Sequence, residues 1–415
     1  LGITQRVPHL AWVSMGGEAK RDCPGTISYQ QPWWREFRQI EDHAARVNAI
    51  LAHGTPIVRV AVIHPGESFW LAYGPEAESR EACRAQEAAF ANLTNWLAHG
   101  LIDFDFISEA LLPTQRGDGA GFRVGEMVYD AVIVPPLVTI RATTLARLRK
   151  FAEKGGTVIF AGSVPTHVDV ELSETARQLA SICIRCAFDR NAIVAHLTPW
   201  RELEAIAKDG SPGEGLLAQH RTDANARIIF LCNTVRTGEA MPVTLRMKGR
   251  WDAATLDTHT GDAAPFPVRH VAGNTEWDWM AEPCGHLLLH LAPHDGSAAP
   301  TPAPHPAPAV RRRAMEQPTA IELSEPNVLP LDHARWRWND GPWQPAQELR
   351  AIEDTIRREQ GLLLRRSYCA QPWSETGPAP ILGTLTLDFT IASSIAVAAC
   401  LALEQPAGRE IVWNG

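Results

Sequence analysis

The spacing of apolar positions changes character twice along the chain. Phe37, Ile40, Ala44, Val47 and Leu51 form one stripe on a 3.6-residue period, and His53-Gly54 closes it with a glycine stop. A helix over 37–51 is the expectation. From Pro56 onward, short continuous apolar runs alternate with amphipathic stretches. Val58–Ile63, Phe104–Ile107, Tyr129–Pro135 and Thr157–Gly162 read as strands. Pro75–His99 reads as a helix, and so does the stretch carrying Leu145, Leu148 and Phe151, which ends at Lys154-Gly155-Gly156. Strands that are apolar throughout, each followed by a helix, predict a parallel sheet covered on both faces between Pro56 and Thr198. Ser173–Cys186 predicts a further helix and Ile193–Ala195 an edge strand.

Beyond Gly215 the period becomes two. Arg227–Asn233, Val243–Met247, Ala254–Asp257 and His286–Leu291 are short strands separated by Gly, Asp and Pro, the pattern of a β-sandwich. Residues 296–310 are a Pro/Ala run that reads as a linker. Further strands are expected at Val328–Leu331, Ala334–Trp338, Ile381–Ile391, Ile395–Leu403 and Glu410–Trp413, with one helix at Ala346–Gln360. The chain closes on Asn414-Gly415, a hairpin turn signal with no returning strand, and opens at Leu1 in strand-like sequence. The expectation is therefore an internal piece of a larger protein.

Composition adds limits. The 415 residues are 45% hydrophobic and 21% charged, enough for several domains with cores. A net charge of -8 with no dense basic stripe gives no footprint for nucleic acid. Arg311-Arg312-Arg313, at the end of the Pro/Ala run, reads as a solvated linker end. The most apolar stretch, Ile391–Leu403, contains Ser393 and Ser394 and is too short to span a bilayer, so no membrane partner is expected. Of the eight cysteines only Cys183 and Cys186 have metal or redox spacing. Without a second pair, and with only His196 nearby, they read as two partly buried thiols at a helix end, and no metal is expected.

A doubly wound sheet invites a cofactor or a nucleophile, and the motifs for both are missing. His64-Pro65-Gly66-Glu67-Ser68 follows the first strand in place of a dinucleotide fingerprint, and Gly117, Gly119 and Gly121 precede a strand-like segment, which makes them a loop. There is no phosphate-binding Gly-Lys-Ser/Thr and no nucleophile elbow, and Cys83 lies inside a helix. No cofactor is expected and no catalytic residue is assigned. Glycoside hydrolysis needs two carboxyls flanking the scissile bond. Glu18 and Asp22 stand near an aromatic cluster but read as solvated loop charges. His9 either binds substrate or fills the core. Trp33 and Trp34 either stack on a sugar ring or cover the end of the following helix.

Three segments carry a resemblance: Val7-Pro8-His9-Leu10-Ala11-Trp12-Val13-Ser14-Met15-Gly16-Gly17, Lys20-Arg21-Asp22-Cys23-Pro24, and Ser28-Tyr29-Gln30-Gln31-Pro32-Trp33-Trp34. Together they resemble the last barrel strand and following loop of the α-L-rhamnosidase-like glycoside hydrolases of the family 106 type. Val58–Pro65 then looks like the opening of a domain similar to class I glutamine amidotransferases without their nucleophile, and Tyr129–Gly162 is similar to the accessory domain of family 42 β-galactosidases. Leu256–Gly261 and Leu289–Leu291 look like the β-sandwich that follows. Gln371–Trp373 and Leu403–Pro406 resemble the start of a galactose-binding-like β-sandwich.

The resemblance implies a fold of the α/β plus β class. Residues 1–54 would be the remnant of a (β/α)8 barrel and 55–215 a flavodoxin-like, amidotransferase-like parallel sheet. A β-sandwich over 216–295, a linker over 296–315 and a truncated galactose-binding-like sandwich over 316–415 would follow. It implies a carbohydrate partner, an extracellular or periplasmic setting, and catalytic carboxylates in barrel strands outside this chain. His9 is the one residue the resemblance carries to the substrate, and Trp33 joins it as a substrate-binding candidate through its stacking ring. The alternative is a carbohydrate-binding or scaffolding protein that hydrolyses nothing.

Overall fold

The computed structural model describes residues 5–8, 11, 27–29, 31, 33–117, 119–296, 328–362, 364, 381–394, 398–403 and 406–413. They fall into two compact units, one of Leu1–Val7 with Arg35–Ala309 and one of Pro8–Trp34 with Val310–Gly415.

The first unit opens with helix α1, Phe37–Leu51, as the apolar stripe predicts. Only the C-terminal half of that stripe is used. Val47, Ile50 and Leu51 pack on Ile228, Phe230, Leu256 and Leu288, while Ile40 remains 50% exposed. The chain then turns at Gly54 with φ +63°, where a Cβ would collide with the carbonyl oxygen of Thr222, so the turn needs glycine. Thr55–Pro56 pairs antiparallel with Arg221 and Thr222.

Five parallel strands follow: Val60–Ile63, Phe104–Ile107, Ala131–Val134, Thr157–Ala161 and Ile184–Cys186. Numbered in chain order, they lie side by side as 2-1-3-4-5. The helices α2 (Gly66–Ala72), α3 (Glu76–His99), α4 (Ala142–Glu153), α5 (Thr175–Ala180) and α6 (Arg190–Leu197) accompany them. Successive strand residues point to opposite faces. Ala61, Ile63, Val132, Val134, Val158 and Phe160 therefore meet Leu145, Leu148, Phe151 and Leu179 of α4 and α5. Val60, Val62, Ala131, Ile133, Ile159 and Ala161 meet Leu93, Leu97, Ile193 and Leu197 of α3 and α6. Burial on both sides is why these strands read as unbroken apolar runs.

Two expectations are corrected here. Ile193–Ala195 is no edge strand but the middle of α6. Asp189 caps that helix by accepting the Ala192 N–H at 2.9 Å, and Ile193 and Leu197 share its buried side at i, i+4 spacing. The helix expected over Ser173–Cys186 stops at Ala180, and Ile184–Cys186 forms the fifth strand against Ile159–Ala161. Three apolar residues cannot announce their period, so the neighbour that takes their backbone groups decides.

Besides two small sheets, one of Thr139–Ile140, His167–Val168 and Glu171–Leu172 and one of Phe122–Val124 and Met127–Tyr129, the unit holds two larger antiparallel sheets. One runs Leu203–Ala207, Met241–Lys248, Asn274–Ala281, Arg269–Val271 in spatial order. The other runs Thr55–Pro56, Leu216–Asp223, Ala226–Asn233, His286–Pro293, Trp251–Leu256, Ala263–Phe266. Between them Leu216, Ile229, Leu231, Leu245, Met247, Trp277, Leu289 and Leu291 form one core. The sandwich thus takes in Leu203–Ala207, upstream of the expected start at 216, because that strand pairs along its length with Val243–Met247. No helix of the described residues is long and apolar enough to cross a membrane.

In the second unit His333–Trp338 pairs antiparallel with Gln344–Glu348 on one side and Leu385–Asp388 on the other. Helix α7, Leu349–Glu359, buries Ile352 and Ile356 against Trp336. It starts later than the expected Ala346 because Glu348 caps it, accepting the Ala351 N–H at 3.0 Å. The expected strand Ile381–Ile391 narrows to Leu385–Asp388, and Val328–Leu331, 398–403 and Glu410–Trp413 form none. An apolar run becomes a strand only where a neighbour takes its N–H and C=O groups. Residues 297–327, 365–380, 395–397, Asn414 and Gly415, on which other expectations fell, lie outside the described residues.

Ile133 is fully buried in the sheet core. Ile133→Ala should cost about 2–5 kcal/mol in denaturant unfolding. Leu172→Ala, at a side chain 81% exposed, should stay within about 0.5 kcal/mol of wild type. Equal effects would mean that the sheet core does not hold the unit together.

Candidate functional site

His9, Glu18 and Asp22 lie outside the described residues, and Trp33 is 45% exposed. Cys183 and Cys186 enter the cores on opposite faces of the parallel sheet, so they share no ligand. Burial raises both thiols above the ordinary cysteine range, which makes them poor nucleophiles. Cys83, on α3, points its sulfur at the Ala72 carbonyl oxygen, 3.5 Å away.

In an open parallel sheet a ligand sits beyond the carboxyl ends of the strands, where the order reverses. Here that point lies between Val60–Ile63 and Ala131–Val134. The crevice is filled by the chain itself. Ser68, in the first turn of α2, accepts the N–H groups of Val138 and Thr139 at 3.0 and 3.2 Å and donates to the Thr139 carbonyl at 3.1 Å. Beside it Arg141 Nε donates to Glu67 at 2.9 Å, and the Arg141 backbone N–H donates to Glu109 at 2.8 Å. Loops after the first three strands are stitched together by these bonds. Glu109 is 1% exposed. Burial pushes its carboxyl up to about 7, against the pull of Thr144, whose hydroxyl falls short of good hydrogen-bond geometry, and of the Arg141 amide.

The polar chemistry of the sandwich gathers instead around histidines that the sequence did not single out. His43 comes from α1, His259 from the turn after Trp251–Leu256, and His286 from the start of its strand. The His43 ring centre lies 5.0 Å from each of the other two. Thr258, almost fully buried, bridges His43 Nδ1 at 2.9 Å and His286 Nε2 at 2.7 Å through its hydroxyl. Arg46 donates to the carbonyls of Thr258 and His259 at 3.0 and 2.6 Å. Asp257 shapes the turn by accepting the N–H groups of His259 and Thr260. Burial holds His43 below the ordinary histidine range, helped by the charges of His259 and Arg46. His286 is lowered by burial and by the other two imidazoles, with Asp257 pulling the other way. The cluster is a latch that fastens α1 to the sandwich. Its members are 215 and 28 positions away from Thr258, so no local motif could have revealed it.

No family model matches this chain, and no curated protein does. Among solved structures it overlaps a rhamnosidase from Novosphingobium sp. PP1Y at 16% identity and a TM-score of 0.49, over 78% of this chain and 30% of that one. A β-galactosidase from Bacillus circulans sp. alkalophilus overlaps at 11% identity and 0.42, over 65% and 47% of the two chains. The α-L-fucosidase isoenzyme 2 from Paenibacillus thiaminolyticus overlaps at 9% identity and 0.37, over 61% and 52%. All three are glycosidases by name, and this chain spans between 30% and 52% of their lengths. None of these overlaps is close enough to assign an activity or a role to any residue.

Glu109 has a folded-state pKa raised from 4.5 to about 7. Its stabilising contribution is therefore complete below 4.5 and is lost as pH rises through about 7. Glu109→Gln keeps an acceptor for the Arg141 N–H and removes the titration. Its stability relative to wild type should grow by on the order of 2 kcal/mol from acid to neutral pH. Urea unfolding at several pH values would show it, and parallel profiles would refute it.

Thr258→Val keeps the shape of the latch but leaves imidazole nitrogens unpaired. The expected cost is about 1–3 kcal/mol, with amide exchange quickened in α1 before the parallel sheet. Unchanged protection of α1 would remove the latch role.

Proposed function

We propose that this chain is the non-catalytic, C-terminal accessory portion of a glycoside hydrolase acting on rhamnosyl-containing or related glycans. In this reading the α/β layer is a flavodoxin-like scaffold of the class I amidotransferase type without its nucleophile, inserted after a barrel remnant and followed by the β-sandwich. A galactose-binding-like sandwich begins after residue 315. Hydrolysis is carried by barrel carboxylates outside these 415 residues, with His9 and Trp33 beside the sugar.

The observation that carries the reading is the filled crevice. Ser68, Glu67, Arg141 and Glu109 occupy the one place where a doubly wound sheet would hold a reacting ligand. The buried carboxyls support it too. Glu276 is held by Arg246 and Arg269 at 2.8 and 3.2 Å, and Glu109 by the Arg141 amide, while Asp103, which burial raises to about 6, accepts the His220 N–H at 3.3 Å. None of these is free to protonate a leaving group across a sugar ring.

Aryl glycosides, rhamnoside first, at high concentrations of the 415-residue chain provide the test. No turnover is expected. Turnover that survives in Glu18→Gln/Asp22→Asn would place catalytic acids elsewhere in this chain and overturn the reading. Turnover lost in that variant would make those two carboxyls the catalytic pair. Glycan binding by a full-length protein that hydrolyses nothing would establish the scaffolding alternative.

A further inference from the structure

We propose that Asp252, His270 and His294 form a binding site for one divalent transition-metal ion of the zinc class, set across an edge of the β-sandwich. Asp252 lies on Trp251–Leu256 of the six-stranded sheet, and His294 directly follows the neighbouring strand His286–Pro293. Asp252 pairs with Ala292, and His294 donates its N–H to Arg250, so the two side chains are diagonal neighbours on one face. His270 comes from Arg269–Val271, the outermost strand of the other sheet. The three donor atoms, one from each residue, all lie within 4.8 Å of one another, and the two imidazole centres are 4.3 Å apart.

Hydrogen bonding fixes which nitrogens are available. His270 Nε2 lies 3.0 Å from the Trp251 carbonyl oxygen. A carbonyl only accepts, so Nε2 carries the hydrogen and the neutral ring presents a bare Nδ1. That is the orienting contact metal-bound histidines use. His294 Nδ1 sits 2.9 and 3.1 Å from the two Asp252 oxygens. Two tetrahedral ligands of one ion at about 2.0–2.2 Å stand about 3.3–3.6 Å apart, so the pair need open only by a few tenths of an ångström to admit the metal in place of the shared proton. Binding would form bonds from the metal to His294 Nδ1, His270 Nδ1 and an Asp252 oxygen, with the proton of His294 Nδ1 released to solvent.

Charge also favours the site. Asp252 brings a carboxylate, and Arg269, next to His270, is turned away to Glu276 and Asp278, with its Nη1 2.6 Å from Asp278. Two imidazoles and one carboxylate suit zinc, nickel or copper and disfavour magnesium or calcium. The Asp252 side chain is 31% exposed, which gives water access to the remaining positions, while the His294 imidazole is 7% exposed. The His43, His259 and His286 group is the poorer candidate. Thr258 already holds two of its nitrogens, and the Arg46 guanidinium adjoins it.

The whole chain, stripped with EDTA, would be titrated with zinc chloride by calorimetry at neutral pH. One equivalent should bind with a micromolar or tighter Kd, with proton release and a raised Tm. Asp252→Asn and His270→Gln should each weaken binding about 10- to 100-fold, while His286→Gln and Cys183→Ser should not. Metal-free unfolding curves show which variants fold, and the near-isosteric Asp252→Asn decides if His270→Gln does not. The proposal is overturned by affinity that survives in Asp252→Asn, by loss in His286→Gln instead, or by binding only at millimolar zinc. A thiolate charge-transfer band with cobalt would overturn it as well, by placing the ion on cysteine.

Discussion

Arg221 donates from Nε to the His53 carbonyl and from Nη2 to the Gly54 carbonyl, both at 2.7 Å, and is nearly buried while doing so. A guanidinium fork can meet two acceptors at once. This contact holds the His53-Gly54 turn, just past the end of α1 at Leu51. It also fixes where Thr55–Pro56 joins the edge of a sheet whose other strands begin after residue 200. The parallel α/β layer therefore lies, in sequence, between two pieces of the same sandwich. Gly54 is required there because any side chain would strike the Thr222 carbonyl.

Within that insertion the parallel strands form the core of the α/β layer. Its strands are covered by helices on both faces, and the place where such a sheet usually holds a ligand is closed by the first turn of α2. Closing it has an electrostatic consequence. Glu109 must share a buried site with Arg141 and Thr144, and burial outweighs their help, leaving the carboxyl titrating near neutrality. An elevated carboxyl in a cleft often marks catalysis. Here the raised value follows from burial, only partly offset by the Arg141 amide.

The sandwich concentrates its histidines at two edges. One group fastens a helix through a threonine hydroxyl, and the other spans the two sheets beside a carboxylate. The difference between them lies in their neighbours. A guanidinium beside one group of imidazoles repels a further cation, whereas an aspartate beside the other attracts one.

Local pattern determined the elements whose side chains report their own surroundings. The stripe from Phe37 to Leu51 gave α1 its full length, and the apolar runs around Ile63, Ile133 and Ile159 gave the buried parallel strands. Period alone failed where segments were short, as at Ile193–Ala195 and Ile184–Cys186, because three residues fit a helix or a strand equally well and the neighbour chooses. The α/β layer carries no cofactor fingerprint and no nucleophile elbow in its sequence. The filling of its crevice by Ser68, Glu67 and Glu109 could not be read there, since those bonds join positions 32 to 74 residues apart. The same holds for Arg221 with Gly54 and for Asp252 with His294. Hydrophobic periodicity is a property of the local chain, while polar chemistry depends on which distant residues the fold brings within hydrogen-bond reach.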